Sequence, residues 1–283
     1  MNKSAIVKII VWSIVAVLSL TVLIFGILDD TSSFGFISAY YENEDDYTIV
    51  HGREEIYDEI SNININWMNG TVSIDTHGED YIIISEHGAT DENSRMRILA
   101  RGGTLTVQAR KSARFIFDNP EEKTLVVLIP QSMAEGLGKL SVESLSGNIK
   151  IANIKSEFLS LESADAEIEI SNVEARHIDA ETVNADAHIS GAFDNADIES
   201  VSGNVILESS ICPNLTSDFV SGNFKIYVPQ ESSFAATFDK VSGHFSTDFE
   251  FTKRMGEYVV NGGGKEFELE TVSGNVYIGK LSK

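Results

Sequence analysis

The stretch Val201-Ser202-Gly203-Asn204-Val205 decides the fold, because it recurs along the second half of the chain. Close copies lie at 145–149, 220–224, 241–245 and 272–276, and degenerate copies without glycine lie at 164–168 and 183–187. The positions equivalent to Ser202 are 146, 165, 184, 202, 221, 242 and 273, so successive copies are 19, 19, 18, 19, 21 and 31 residues apart. A nearly constant period of this length indicates stacked structural repeats.

Aligning the copies shows which side chains each repeat buries. Two columns after the turn are almost wholly apolar, and a mostly polar column lies between them. This alternation is typical of a strand with one buried face, and no single repeat can bury that face alone. We therefore predict an all-β fold, a β-solenoid (β-helix or roll) of about 19-residue repeats. An antiparallel meander or sandwich is the alternative, but the constant period favours coils. The columns are Ile149/Ile168/Ala187/Val205/Phe224/Phe245/Val276 and Ile151/Ile170/Ile189/Leu207/Ile226/Thr247/Ile278.

From about Ile60 onward, the first half of the chain also alternates with period two. Ile63, Ile65 and Trp67 alternate with asparagines, and Asn69-Gly70 precedes another alternating run. Asn-Gly between two such runs is typical of a β-hairpin. We therefore expect one β-strand-repeat domain over residues 57–283, with the repeats clearest over 140–283.

The N-terminus predicts the cellular compartment. Residues 9–28 carry no charge and are long enough to span a bilayer, with Lys3 and Lys8 before them. By the positive-inside rule, we expect residues 1–28 to be a cytoplasmic tip and an uncleaved transmembrane signal-anchor, with the rest of the chain extracellular. A cleaved signal peptide is the alternative, but its apolar region would be shorter. Residues 29–56 include an acidic cluster and little periodicity, so we expect an exposed acidic stalk there.

Charge limits the partners of this protein. The formal net charge is −22, and residues 29–283 carry 19 basic and 43 acidic residues, a net −24. Such a surface excludes nucleic acid as a partner, because a phosphate backbone requires cations. The single cysteine, Cys212, excludes an intrachain disulfide, and the six histidines match no recognised zinc motif.

The run Ile65–Ile74, the strand Leu125–Pro130 and the repeated Glu-Ser-Val-Ser-Gly-Asn-Val units resemble the bacterial putative-adhesin family. The resemblance covers roughly residues 60–280. It implies an all-β exported domain of the cell envelope, found in some cases with envelope-stress regulatory systems. It implies no catalytic residues.

An acidic residue stands three positions before each turn serine or its equivalent. It follows a mainly apolar, inward position, so the alternation of a strand places it on the outer face. We interpret this acidic column in two ways: each carboxylate accepts hydrogen bonds in its turn, or the row offers oxygen ligands to a divalent cation such as weakly bound Ca²⁺. No other cofactor is expected. The aromatic residues Trp67, Tyr81, Tyr227 and Tyr277 are interpreted as exposed residues that either bind a partner or cover a strand edge. The acidic column consists of Glu143, Glu162, Glu181, Glu199, Asp218, Asp239 and Glu270.

These features favour a binding or scaffold protein over an enzyme. We expect a single-pass membrane protein whose extracellular repeats bind an envelope protein or a wall polymer. A regulatory partner of an envelope-stress sensor is the alternative that the resemblance adds. A polysaccharide-active enzyme is less favoured, because it would need a cleft with convergent acidic and basic groups, and the repeats are poor in basic residues.

Overall fold

The computed structural model describes residues 46–109 and 121–282, and these form an all-β fold. One short helix, α1 (Gln131–Ala134), occurs in this part of the chain. No helix within the described ranges is long and apolar enough to cross a membrane, and the segment predicted to do so, residues 9–28, lies outside them. The strands of the N-terminal half are β1 (Thr48–Ile49), β2 (Arg53–Ile56), β3 (Asn62–His77), β4 (Ile82–His87), β5 (Arg97–Arg101), β6 (Thr104–Gln108) and β7 (Lys123–Pro130).

The second half contains the repeats. Its longest strand, β10 (Lys155–Ser202), covers more than two repeat lengths without interruption. The other strands are β8 (Leu137–Ser146), β9 (Ile149–Ala152), β11 (Asn204–Ser209), β12 (Asn214–Phe219), β13 (Asn223–Val228), β14 (Phe234–Lys240), β15 (Phe245–Thr247), β16 (Thr252–Arg254), β17 (Glu257–Val260), β18 (Lys265–Thr271) and β19 (Asn275–Lys280).

Successive repeats pair in parallel and in the register that the sequence alignment gives. Glu162 of β10 is opposite Glu143 of β8, and Ile189 of β10 is opposite Leu207 of β11. The same parallel pairing joins β9 to β10, β10 to β12 and β11 to β13. Each repeat is therefore one coil of a stack rather than one hairpin of an antiparallel meander.

The order of the last two coils differs from their order in the chain. The final coil, β18 and β19, pairs with β12 and β13 on one side and with β14 and β15 on the other. The acidic column therefore does not follow chain order at this end, where Glu270 lies between Asp218 and Asp239. The 31-residue spacing before the last repeat supplies the chain needed for this return.

The N-terminal end shows a similar exchange. Strand β3 pairs in parallel with β8 and β9 on one side and with β6 and β7 on the other. The hairpin predicted at Asn69-Gly70 is therefore wrong. Asn69 is opposite Ser146, so Asn69-Gly70 is the corner of a coil and is equivalent to a Ser-Gly turn.

Antiparallel strands cover this end of the stack. β5 pairs with β6 and β1 with β5, while β4 pairs with β7 and β2 with β4. Residues 48–56, expected to belong to an exposed stalk, thus contribute two strands to the folded domain, and Val50 and Ile56 are buried. Of the acidic cluster expected in the stalk, Glu42, Glu44 and Asp45 lie outside the described residues, whereas a carboxylate oxygen of Asp46 lies 3.4 Å from the guanidinium of Arg101 in β5.

The corner glycines are required by both backbone conformation and space. Gly203 has φ of +124°, and a Cβ there would lie 1.9 Å from the carbonyl oxygen of Ala185 in the adjacent coil. Gly147 has φ of +123°, and its Cβ would lie 1.8 Å from the carbonyl oxygen of Gly70. A side chain at these sites is excluded by the neighbouring backbone, because the coils approach each other closely at their corners.

The apolar columns form one continuous core. Ile189 and Ile226 are fully buried, and Leu207 lies between them. Burial of each such side chain stabilises the fold by about 1.5–3 kcal/mol. Because adjacent coils share these contacts, the stability of each coil depends on its neighbours.

Candidate functional site

The acidic column lies on the outer face of the strands that precede the corners, as predicted. On either side of Glu143 along the chain, Val142 and Ser144 are buried, whereas Glu143 itself is half-buried. Strand register places the carboxylates of adjacent coils opposite each other, with Glu199 opposite Asp218 and Glu270 opposite both Asp218 and Asp239. Adjacent side chains are therefore separated by roughly one strand spacing, about 4.8 Å.

Burial and repulsion alter the acidity of this column. Burial, followed by repulsion from Glu162, raises the pKa of Glu143 to about 7, although Lys139 opposes the shift. Burial, followed by repulsion from Glu199 and from Asp179, raises the pKa of Glu181 to about 7. The same first cause, burial, raises the pKa values of Glu162, Glu199, Asp218 and Glu270.

A second acidic set, missed in the sequence, lies beside the column. Asp179 and Asp197 stand two residues before Glu181 and Glu199, so the strand period places them on the same face. Burial and then repulsion from Asp197 raise the pKa of Asp179, and the imidazole Nε2 of His177 lies 3.3 Å from a carboxylate oxygen of Asp197. The sequence could have revealed them, because residues two positions apart in a strand lie on the same face, and Glu181 and Glu199 were already placed on the outer face.

The carboxylates of the column do not brace the turns. In the described part of the chain, burial and nearby charges cause the pKa shifts of these carboxylates, and no hydrogen bond contributes to them. The residues are Glu143, Glu162, Glu181, Glu199, Asp218 and Glu270. At two corners, an inward hydroxyl group makes the turn hydrogen bond instead. Ser200 donates to the carbonyl oxygen of Ser202 at 3.1 Å, and the Thr271 hydroxyl accepts from the amide of Gly274 at 2.7 Å.

Amide ladders also hold the corners together from outside. The Nδ2 of Asn223 donates to Asn204 at 2.8 Å, and that of Asn275 donates to Asn223 at 3.0 Å. Asn204 in turn donates to Asp186 at 2.9 Å. These contacts link equivalent residues of adjacent coils and explain why asparagine recurs after the corner glycine.

The carboxylates form a row rather than a convergent cluster. Within residues 46–109 and 121–282, no group of three or more His, Cys, Asp or Glu side chains is arranged to hold a metal ion. The calcium interpretation of the column stays a prediction.

On the outer face of the strands that follow the corners, basic and acidic side chains of adjacent coils lie next to each other. Lys150 and Glu169, opposite each other in adjacent coils, form an ion pair of 2.9 Å. On the same face, Nε2 of His188 lies 3.5 Å from a carboxylate oxygen of Glu208. On the strands leading to the next corner, Lys155 pairs with Glu174 at 2.9 Å.

Trp67, expected among the exposed aromatic side chains, is buried. Its indole Nε1 donates to the carbonyl oxygen of Lys123 at 3.3 Å, and the Lys123 ammonium lies 4.7 Å from the ring centroid. Lys123 also forms a buried ion pair of 2.6 Å with Glu86, whose carboxylate accepts from the amide of Met96. This buried polar centre fastens the N-terminal covering strands to the stack. Its residues come from separate segments, so no local pattern identified it.

Three solved structures are similar to this chain. They are described as a "putative cell adhesion protein" from Clostridium sporogenes, a "putative adhesin" from Bacteroides fragilis and a "putative lipid binding protein" from Parabacteroides distasonis. Sequence identities are 14%, 12% and 14%, and TM-scores are 0.39, 0.44 and 0.41. Each match covers 81% of this chain, and 99%, 96% and 96% of the respective solved chain. No curated protein matches the sequence.

The family comparison agrees with the repeat architecture. The sequence model of the Toastrack DUF4097 family matches residues 60–213, which is more than half of the chain. The matched region begins at the first alternating run and includes the acidic column as far as Glu199. The chain therefore belongs to the Toastrack DUF4097 family.

Proposed function

We propose that this protein is a membrane-anchored extracellular binding or scaffold protein of the bacterial cell envelope, and that it performs no catalysis. The observation that carries the proposal is the in-register acidic column, which continues across the coils from Glu143 to Asp239. A row of equivalent side chains at constant spacing suits a partner that is itself extended, such as a wall polymer or an envelope protein with a cationic surface.

The proposed topology follows from the N-terminal sequence. The apolar residues 9–28, with Lys3 and Lys8 before them, would hold the N-terminus in the cytoplasm. The described chain enters the fold through β1, which belongs to the covered end of the stack. An anchor attached there would leave the acidic column and the far end of the stack accessible outside the membrane.

Protease treatment of intact protoplasts tests the topology. With a C-terminal epitope tag on the full chain, we expect external protease to remove the tag while a cytoplasmic marker protein stays intact. A protected full-length chain would contradict the topology. Release of the untreated protein into the medium at a reduced mass would contradict the anchor and support a cleaved signal peptide.

A pull-down from the protein's own cell envelope tests the binding role. The full chain should retain an envelope component that the double variant Glu181→Gln, Glu199→Gln retains several-fold less, because the substitutions remove charge while preserving side-chain shape. Glu169→Gln, on the other face, is the matched control and should retain the component as the wild type does. Equal retention by all three chains would exclude the acidic column as the binding surface.

A further inference from the structure

The two ends of the stack differ in how completely the core is covered. At the N-terminal end, the inward side chains of the outermost coil, among them Leu105, Val107 and Leu125, are fully buried. At the opposite end, Phe238 and Phe245 occupy equivalent inward columns of the outermost coil, yet both are only half-buried. The core is thus closed at one end and partly open at the other.

The open end has the shape of a step. The hairpin of β16 and β17 extends the side of the stack that contains β14, since β17 pairs with β14 and β16 with β17. On the other side the stack ends at β15, which pairs with β19 alone among the described strands. The outer edges of β15 and of β16 both lack a strand partner in the described part of the chain. Unpaired edges of this kind are the places where a sheet accepts another strand.

Aromatic side chains line the inner surface of the step. The Tyr258 ring lies 4.5 Å from that of Phe245 and 5.1 Å from that of Phe251, measured between centroids. The Lys253 ammonium lies 4.8 Å from the Tyr258 centroid. Phe251 is 46% exposed, and Met255 at the tip of the hairpin is fully exposed. Aromatic residues that are large, rigid and exposed together mark interaction surfaces.

Charge at this end differs from that of the rest of the molecule. Residues 234–265 carry four basic residues, Lys240, Lys253, Arg254 and Lys265, and four acidic residues, Asp239, Asp248, Glu250 and Glu257, so their net charge is zero. Residues 29–283 as a whole carry −24. The two open edges are also opposite in sign, because β16 carries Lys253 and Arg254, whereas β15 is followed by Asp248 and Glu250.

A step with one edge basic and the other acidic is complementary to itself after a two-fold rotation. We propose that the C-terminal end of the stack is a self-association surface that takes a second copy of this chain. In this arrangement the β16 edge of each copy meets the β15 edge of the other, and the two hairpins bring their aromatic inner surfaces together. The pair is closed and does not grow into a fibre, because in a two-fold contact both copies use this same surface.

The mass of the full chain in mild detergent micelles, measured by light scattering with the detergent contribution subtracted, tests this proposal. We expect a concentration-dependent dimer. Phe251→Ser and Arg254→Glu should each weaken dimerisation at least about tenfold, since each removes contacts at the proposed centre. Tyr57→Ser is the matched control: Tyr57 is 69% exposed beside the covered end, and its loss should leave the dimer unchanged.

A charge exchange separates a specific contact from general disturbance of the hairpin. Glu250→Lys alone should weaken the dimer, and the double variant Arg254→Glu, Glu250→Lys should recover it in large part. A monomeric wild type at high micromolar concentration would overturn the proposal, as would masses above the dimer or equal weakening by Tyr57→Ser. Failure of the double variant to recover would overturn the pairing of the two edges. Because these measurements involve no envelope partner, they are independent of the proposed binding role.

Discussion

The two faces on either side of the corners carry charge at the same spacing but with opposite consequences. Before the corner, Glu181 has Glu199 as its neighbour in the next coil, and its pKa is raised to about 7. After the corner, Glu169 has Lys150 as its neighbour, and its pKa is lowered, first because Lys150 donates a hydrogen bond to it. The same backbone geometry therefore produces a repulsive column on one face and a compensated column on the other.

This difference distinguishes repeated residues that stabilise the stack from repeated residues that destabilise it. A parallel stack places equivalent residues of adjacent coils next to each other, so any residue type that repeats must contact its own kind. Asparagines benefit from that contact because they can donate and accept in a ladder, as Asn223 does with Asn204. Carboxylates do not benefit, and the other face shows that Lys or His can be accommodated between them. The acidic column therefore lowers the stability of the fold. The requirements of stacking alone do not explain why its residues are acidic.

The largest loss of stability is expected at the corners, where the strands of the two faces meet. Gly203→Ala should destabilise the fold by roughly 3 kcal/mol or more, because it combines a strained positive φ with overlap of Cβ and the adjacent backbone. Chemical denaturation followed by far-ultraviolet circular dichroism measures the loss. Gly136→Ala is the control, since a Cβ there meets no atom within 4 Å. Equal stability of the two variants would show that the coils do not approach each other at the corner.

The next effect is specific to the acidic face. Glu181→Gln should stabilise the protein by about 1–2 kcal/mol at pH 8, a value reduced for solvent screening because Glu181 is only partly buried. Its raised pKa means that the folded state binds the proton more tightly than the unfolded state. Wild-type Glu181 therefore costs little below its ordinary pKa of 4.5 and progressively more as the pH rises through about 7.

Denaturant midpoints of wild type and Glu181→Gln across this pH range provide the measurement. The stability difference should approach zero well below pH 4.5, where the carboxyl group is protonated in both the folded and unfolded states. A difference that stays constant with pH would mean that the gain comes from packing or hydrogen bonding of the amide rather than from charge.

The regular coils were predictable because aligning the repeats in the sequence also gives the register in which their strands pair. The alignment of the Ser-Gly copies placed Ile189 in the core and Glu181 outside, and both placements are confirmed. Coil order at the two ends was not predictable in this way. The sequence period carries no information about which coil neighbours which, and Asn69-Gly70 has the same local pattern whether it ends a hairpin or turns a corner.

The candidate site was predictable in position and less so in interactions. Parity identified the acidic column, but the turn hydrogen bonds proposed for it are made by Ser200 and Thr271 instead. The reason is geometric, since the inward residue next to the acidic one points toward the corner. The open end was not predicted at all, because half-burial of Phe238 and Phe245 depends on which coil is outermost.

Calcium provides a smaller and more selective test of the acidic face. If neighbouring carboxylates share Ca²⁺, a free concentration about tenfold above Kd should add roughly 1.4 kcal/mol to wild-type stability, with affinity in the weak range of extracellular sites. The double variant Glu181→Gln, Glu199→Gln should lose most of this gain, and NaCl at matched ionic strength should not reproduce it. An equal shift with NaCl would assign the effect to screening, and no shift with either salt would leave the column without a cation.

The smallest effect is expected on the compensated face and should have the opposite sign. Glu169→Gln removes an exposed ion pair with Lys150, and such pairs contribute little to stability. Because the pKa of Glu169 is lowered in the folded state, its contribution is present above the ordinary pKa of the carboxyl group and disappears as the pH falls through the lowered value. Glu169→Gln should therefore be slightly less stable than wild type at pH 8 and equal to it in acid. Glu181→Gln makes the same change, carboxylate to amide, at another position of β10, and the two variants are therefore compared directly. If both variants shifted stability in the same direction with pH, the neighbouring coil would not determine the energy of these charges, and the contrast between the two faces would be wrong.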